Sequence, residues 1–586
     1  MSLTPALNSA LTSLLVIEKQ MSVTSANIAN ADVSGYTEKT VDIATQVTGG
    51  EGTGVSTTGI SATVDQNLAR DIVAASSAAG YADTYNSYYQ VLQEYVGELS
   101  STSSSTNLSS ELSTLASDLA NLANTPSSTS YQSQVVSDLD TLASTLRDTS
   151  SQVQKLRSQA DSGIASTVSD INGKLSDIAD LNAQIQAAKT AGQSTADLED
   201  QRMTALESLS SDLNVSYFTD SSGNMQVYTG SGQPLVDGTS AHTLTYTSAG
   251  SVSSATTYSA SGSSGFSAIE VDGTDITTSV QSGKLKALID LRDTALPAAQ
   301  SELDNLASSL ADTLNAISNE GSADPPPSSL TGTTTVSASD AFSATGTVRI
   351  AVADSSGDVA SYQDLNLSSY STVSDLLTAL NGVSGVSASI DSSGHLVIAA
   401  TNSGDGIAIN EMTSSVGSGG SGFSSYFGLN DLLTGGSSAA TIAVRSDILS
   451  SSSLLAIGTL DSSSSLATGS TAVSAGSVAS DLYDAMTAER SFSAAGTLGV
   501  TTTSFADYAG DIISGISTAS SNASTAATNK DTALSTLQTS YSNETGVNTD
   551  TETAKLTTLQ SQYAAAAKVI STLQTMFQDL LDAVKG

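Results

Sequence analysis

Few side chains in this sequence are equipped for chemistry. There are two histidines, His242 and His395, far apart in the chain, and no cysteine. A zinc site needs several nitrogen or sulfur ligands, and a nucleophilic dyad needs a base held beside its nucleophile. Isolated histidines supply neither. Lysine follows glycine in Asn172-Gly173-Lys174-Leu175 and in Ser282-Gly283-Lys284-Leu285, without the Walker spacing or the following Ser or Thr. Gly417 to Gly422 has no strand–turn–helix frame and reads as a flexible loop. No EF-hand loop and no Gly-Gly-x-Gly-x-Asp calcium repeat occurs. Carboxylates are abundant but scattered along solvated faces, and their spacing alone does not exclude a glycosidase-type pair. The expectation is a protein that is not an enzyme, with no cofactor and no metal.

Charge narrows the partners. Nineteen basic residues face 58 acidic ones, a net charge of −39. Phosphate neutralisation needs cations, so nucleic acid is excluded as a partner, and anionic membrane surfaces are disfavoured. The same charge favours solubility and adds repulsion between copies in any polymer. Without cysteine there is no disulfide framework. The chain, at 586 residues, can form several domains. Tryptophan is absent and aromatics are only 4%, so cores must rely on Leu, Val, Ile and Ala. Such side chains bury little area each, which suits long helices packed along their lengths. The first residues, MSLTPALNSALTSLLVIEKQ, lack the basic region and cleavage site of a secretory signal, and no stretch is apolar enough to span a membrane. Composition alone suggests a soluble, cytoplasmic chain.

The elements that could organise such a protein stand at its two ends. Leu7, Ala10, Leu14, Ile17, Met21, Thr24 and Ile28 alternate by three and four, as in a heptad seam. Leu556, Leu559, Tyr563, Ala566, Ile570, Leu573, Phe577, Leu580 and Val584 do the same at the C-terminus. Neither helix can bury its seam alone. Each could pack on its own neighbouring domain; alternatively the two pair with each other, or with copies of the chain. Seams of similar length at opposite ends favour pairing.

Between them lie further helices, expected over residues 64–99, 108–122, 135–156, 164–188, 198–213, 285–317 and 475–537. Two β-rich stretches interrupt them. The turn Asp-Ser-Ser-Gly begins at Asp220, Asp354 and Asp391, each time flanked by alternating apolar residues, which predicts a shared hairpin design. Pro325-Pro326-Pro327 marks a stiff boundary. The chain reads as an α+β multidomain protein in which sheets are inserted into a helical shaft. Residues 1–45 and 545–586 form a terminal coiled-coil domain, and 46–213, 283–322 and 438–544 a helical shaft. Residues 214–282 and 330–437 form two β-rich outer domains.

The segment Ser25-Ala26-Asn27-Ile28-Ala29-Asn30-Ala31-Asp32-Val33-Ser34-Gly35-Tyr36-Thr37 resembles the rod-type motif of bacterial flagellar axial proteins. In that family a helix ends in Ala-Asn-x-x-Ala-Asn before Thr-Pro-Gly-Tyr-Thr. Here Val33-Ser34 replaces Thr-Pro, so the turn lacks its rigid proline, and Glu38 stands where a basic residue is common. Gly546-Val547-Asn548-Thr549-Asp550-Thr551-Glu552 resembles the family's Gly-Val-Asn-x-Asp-x-Glu. Interior blocks are similar to the family's hook-associated members: Asp200-Gln201-Arg202, Leu235-Val236, Gly283-Lys284-Leu285, and Tyr426-Phe427-Gly428-Leu429-Asn430-Asp431. Val336 to Ile409 is mostly uncovered and resembles a flagellin-type insertion module.

The resemblance implies an extracellular structural adapter at the junction of hook and filament, exported through the flagellar channel without a cleaved signal peptide. Its terminal helices would pair as a coiled-coil inner domain, with the seam residues above carrying assembly. Its partners would be copies of itself, the hook protein on one side, a second junction protein or the filament on the other, and an export chaperone before secretion. Two other readings stand beside this one: the hook protein itself, and a secreted Ser/Thr-rich adhesin, which would need no paired seams. In the rod-type motif Asn27 and Asn30 are candidates for backbone or neighbour hydrogen bonds, or for a plain helix stop. Gly35, followed by Tyr36, is the candidate for the turn leading outward.

Overall fold

The computed structural model describes residues 3–48, 50–99, 107–260, 265–464 and 466–585; residues 1, 2 and 586, which the sequence assigns to the terminal domain, lie outside them. The chain divides into two compact units, one of residues 1–88, 158–293 and 521–586, the other of residues 89–157 and 294–520. Among the described residues no helix is long and apolar enough to cross a membrane.

In the first unit, α1 (Leu3–Asn30) leads through a turn into an antiparallel hairpin, β1 (Lys39–Thr48) and β2 (Glu51–Ala62), and then into α2 (Gln66–Val96). The hairpin corrects the expectation that residues from 46 onward are helical. Its Thr, Val and Ile content is strand-forming. After α3 (Leu108–Asn124), α4 runs without a break from Thr129 to Thr190. The two helices expected over 135–156 and 164–188 are therefore one, because Leu156, Ala160 and Ile164 carry the buried stripe across the presumed gap. α5 (Ala196–Asp212) follows. Two small sheets come next: β3 (Val215–Thr219), β4 (Met225–Thr229), β5 (Pro234–Asp237) and β6 (Ser240–Ala241) in one, β7 (Leu244–Thr245), β8 (Glu270–Val271) and β9 (Thr274–Asp275) in the other. α6 (Lys284–Asp290) continues through a π-helical turn, Leu291–Ala295, into α7 (Leu296–Asn319).

The second unit holds α3, most of α7 and the second β-rich region. Strands β10 (Ser329–Thr335), β11 (Ala344–Thr345), β12 (Thr347–Ala353) and β13 (Val359–Asn366) precede α8 (Val373–Leu380). Then come β14 (Val386–Ile390), β15 (His395–Ala400), β16 (Gly406–Asn410) and β17 (Ser415–Val416). The sheets β13-β12-β16 and β10-β15-β14 close on one core, in which Ile350, Leu376, Ile398, Ile407 and Phe427 are buried together. The unit continues with α9 (Phe423–Phe427), β18 (Leu433–Thr434), β19 (Ala443–Val444) and α10 (Ser446–Ser450). Beyond β20 (Gly458–Leu460) and β21 (Val473–Ala475), the helix expected over 475–537 is interrupted. α11 (Ser477–Thr487) gives way to the hairpin β22 (Arg490–Phe492) and β23 (Thr501–Thr503) before α12 (Phe505–Thr545) begins. α13 (Thr549–Lys585) returns to the first unit.

The three Asp-Ser-Ser-Gly segments fold alike. Oδ1 of Asp220, Asp354 and Asp391 accepts from the amides two and four residues on, at 2.8–3.2 Å. Gly223, Gly357 and Gly394 take positive φ of 93°, 83° and 87°, where glycine alone is unstrained. These turns join β3 to β4, β12 to β13 and β14 to β15. The bonds, first among them that from the amide four residues on, hold Asp220 and Asp391 below the usual carboxylate range.

A second device recurs where helices meet strands. The carboxamides of Asn172 and Asn182 in α4, and Asn315 in α7, each bond both backbone groups of one residue: Leu244, Met225 and Leu433 respectively, at 2.8–2.9 Å. Asn381, after α8, does the same to Ala388 at 2.8 and 3.0 Å. Leu244, Met225 and Leu433 are each the first residue of a strand, so the side chain acts as a detached peptide group that starts the ladder.

In the second unit Asp138 of α4 lies against Asp118 of α3, and burial, reinforced by that neighbour, pushes its carboxyl up to about 6. A folded-state value above the ordinary 3.8 means the native state binds the extra proton. Its stabilisation is therefore present at acid pH and lost as pH rises through about 6. Asp138→Asn should raise the melting temperature at pH ~7 and leave it unchanged at pH ~4, where the aspartate is already protonated, as read by scanning calorimetry.

Candidate assembly site at the paired termini

The two ends of the chain meet within the first unit. The end of α1 lies against the start of α13, and the helices pack antiparallel. Along α1, Ile17 is buried and Leu7, Ala10, Leu14, Met21 and Ile28 are half-buried. Along α13, Leu559 and Leu573 are buried and Leu556, Ala566, Ile570 and Phe577 half-buried. Among the described residues the rest of the seam is left uncovered: Tyr563 is exposed, Leu580 is 55% exposed and Val584 80%. Leu11 and Leu15 of α1, with Val569, Met576 and Leu581 of α13, add further exposed apolar surface. On another face of α1 lies the hairpin. Asn8 Nδ2 donates to the Thr53 carbonyl at 3.0 Å and Val55 N to Thr12 Oγ1 at 3.3 Å. Gly54 is required there, since a Cβ would sit 2.3 Å from Thr12 Oγ1.

At the meeting point the Asn27 side chain is fully buried and fully used. Its Nδ2 donates to the Lys39 carbonyl at 2.9 Å and to Glu552 Oε2 at 3.0 Å. Its Oδ1 accepts from the Lys39 amide at 3.1 Å and the Tyr36 hydroxyl at 3.0 Å. A carboxamide offers two donors and two acceptor positions, and all four are taken. Lys39 is the first residue of β1, so the detached-peptide device operates here as well. Glu552, 1% exposed, receives Lys555 Nζ at 3.0 Å on its other oxygen. Asn548 caps α13 through the amides of Asp550 and Thr551, at 3.1 and 3.0 Å.

The same knot reaches α5. Thr37 donates through its amide and its hydroxyl to Asp200, at 3.0 and 2.8 Å, and the buried Lys39 ammonium pairs with that carboxylate. Lys39 Nζ also stands 4.0 Å from the centre of the Tyr36 ring. Burial, then the negative charges of Asp197 and Asp200, push the Tyr36 hydroxyl up to about 12. It therefore remains a donor at any physiological pH. Asn30 has a more local role, with Nδ2 donating to Ala26 of its own helix at 2.9 Å.

The turn after α1 explains two departures from the rod-type motif. The Tyr36 amide donates to the Val33 carbonyl at 3.1 Å, and Gly35 has φ +78°. That is a type II turn, with Ser34 in the position where proline presets φ and Gly35 where positive φ is needed. Glycine keeps the turn without the proline. Glu38, in place of a basic residue, approaches Lys555 of α13 at 3.7 Å, and its amide donates to the Thr545 carbonyl at 2.7 Å.

Three family models match the chain in sequence order: the flagella basal body rod protein over residues 9–37, the helical domain of the flagellar hook-associated protein FlgK over 94–325, and the C-terminal part of the flagellar basal body rod FlgEFG proteins over 538–583. The chain is thus similar to flagellar rod-type proteins at its two ends and to hook-associated proteins in its helical block. Flagellar hook-associated protein 1 of Bacillus subtilis (strain 168) is 26% identical over 225 residues, which are 36% of this chain and 44% of that protein. The match thus spans less than half of that relative's length. The solved structure of the flagellar hook junction protein FlgK from Burkholderia pseudomallei is 18% identical, with a TM-score of 0.46, covering 80% of this chain and 99% of that one.

The two rod-type matches enclose the knot, with Asn27 and Tyr36 in one and Glu552 in the other. Sequence reasoning singled out Asn27, Asn30, Gly35 and Tyr36; the structure puts Gly35 and Tyr36 in one turn and returns the Tyr36 hydroxyl to Asn27 in α1. It missed Lys39 and the roles of Asp200 and Glu552. Asp200 and Glu552 were visible as letters of family-like motifs, whereas nothing local marks Lys39. The histidines lie elsewhere: His242 pairs with Asp272 at 2.5 Å in the first unit, and His395 stands 3.5 Å from Asp391 in the second.

Two substitutions test the knot. Asn27→Asp removes the donor and faces Glu552 with a second carboxylate, which should cost about 3 kcal/mol or more. Hydrogen exchange should show the Lys39 amide and the first turns of α13 losing protection together. Ser34→Pro should instead stabilise the terminal region by about 0.5–1 kcal/mol, read as slower exchange at Tyr36, since the type II turn already supplies the φ that proline fixes.

Proposed function

We propose that this chain is a structural, non-catalytic part of the flagellum that joins hook to filament by associating with copies of itself through α1 and α13. The observation that carries the proposal is the unburied remainder of the terminal seams. Leu11, Leu15, Val569, Met576, Leu580, Leu581 and Val584 stay exposed although α1 and α13 are already paired. An apolar surface of this extent marks an interaction site. Charge supports the same reading. α1 contains one acidic and one basic residue, and α13 four acidic and three basic, in a chain of net charge −39. The helices that would crowd together in an assembly are nearly neutral, so close packing there meets little repulsion.

In this reading residues 1–45 and 545–586 form the inner domain, with the seam residues as its assembly surface, and the β-rich regions 214–282 and 330–437 project outward. The partners are copies of the chain, the hook protein on one side, and a second junction protein or the filament on the other, with an export chaperone beforehand. The protein works outside the cell and leaves through the flagellar channel. The match of residues 94–325 to a hook-associated helical domain favours this position over that of the hook protein itself.

Leu580→Asp places a charge on an exposed seam position. It should abolish filament attachment while the isolated chain keeps its melting temperature within ~1–2 °C, because the residue is uncovered in the monomer. A deletion strain should build hooks without filaments under electron microscopy. Missing hooks would assign the chain to the hook, and normal swimming with lost surface binding would mark a secreted adhesin. Normal filaments in the Leu580→Asp strain would overturn the seam assignment.

A further inference from the structure

The apolar contacts between α1 and α13 repeat. Both seams alternate by threes and fours in Leu, Ile, Ala and similar residues, so a slide of seven positions again sets apolar residues opposite one another. Hydrophobic contact decides which faces meet, but it distinguishes poorly between registers. Among the described residues the buried polar link between the helices is Asn27 with Glu552, at 3.0 Å. We infer that this link fixes the register of α13 on α1, so that the two ends of the chain close in a single alignment. The inference concerns pairing within one chain and holds wherever in the flagellum the protein sits.

In the observed alignment every hydrogen-bonding position of the Asn27 carboxamide is filled, and both oxygens of Glu552 have donors. Slid seven residues one way, α13 sets Leu559 opposite Asn27 and carries Glu552 past the end of α1. Slid the other way, α13 no longer reaches Asn27. Either shift leaves a buried amide hydrogen without an acceptor, whereas the apolar contacts change little. A buried polar group without a partner is heavily penalised, and a lone buried polar contact in an otherwise apolar helix interface is a well-attested way to set register. The register is also tied to α5. Asn27 holds the Lys39 backbone, and the Lys39 ammonium pairs with Asp200, so α13 is aligned to α5 and α1 through one side chain.

The absence of cysteine permits a clean test. Ser25 and Thr557 are exposed, and Ser25→Cys with Thr557→Cys gives two sites for spin labels. Pulsed distance measurement on labelled chains diluted in unlabelled protein, assembled at the same concentration, reads the register within one chain. The otherwise native protein should give one narrow distance. Asn27→Leu with Glu552→Leu should keep the terminal helices, seen by circular dichroism, and add a second distance displaced by up to about 10 Å, seven residues of helix rise. Glu552→Gln, which preserves the acceptor, should restore the single distance. A single unchanged distance in the double leucine variant overturns the inference. So does loss of the terminal helices in that variant, because the pair would then serve stability and not alignment. Two distances in the native protein would overturn it as well.

Discussion

A side-chain carboxamide carries the donors and acceptor of a peptide group without being part of the backbone, and the described structure leans on that equivalence. Asn27, Asn172, Asn182, Asn315 and Asn381 each engage both backbone groups of one residue on a neighbouring segment. A strand's first residue ordinarily has unsatisfied groups on one side. Here a helix supplies them. Long helices and small sheets share little apolar area, and a chain with 4% aromatic residues has few large side chains to bridge them. Directional bonds from short polar side chains do part of that work.

The knot around Asn27 extends the logic from local to global connectivity. Asn27 and Glu552 are 525 residues apart in sequence, yet one hydrogen bond joins them. Lys39 and Asp200, 161 residues apart, add a buried ion pair that ties the turn to α5. Breaking such a pair by removing one partner strands a buried charge, so the turn and α5 hold their relation strictly.

Much of this was legible where one physical signal dominates. The seam spacing of Leu7 to Ile28 and Leu556 to Val584 is a helix pattern, and both segments are long helices. The Asp-Ser-Ser-Gly turns were legible because one carboxylate and one glycine settle their geometry locally. The α+β multidomain organisation followed from the alternation of such signals. What escaped depends on partners remote in sequence. The hairpin β1–β2 gains its shape from α1, where Thr12 and Gly54 approach closely. The continuity of α4 shows only in burial, where Leu156, Ala160 and Ile164 carry the stripe past Gly163. Lys39 reads as an ordinary surface lysine, and only the fold reveals it beneath a tyrosine ring beside Asp200.

The partition of charge has a consequence for the medium around the protein. All but one of the 39 net negative charges lie off the two terminal helices. Each copy added to an assembly therefore brings its own cloud of counterions, held mostly around the residues outside the seam. Within a Debye length of about 8 Å at physiological ionic strength those clouds overlap and resist compression. An ordered array of such chains would behave as a polyelectrolyte brush, keeping neighbouring polymers apart while its nearly neutral terminal helices pack closely.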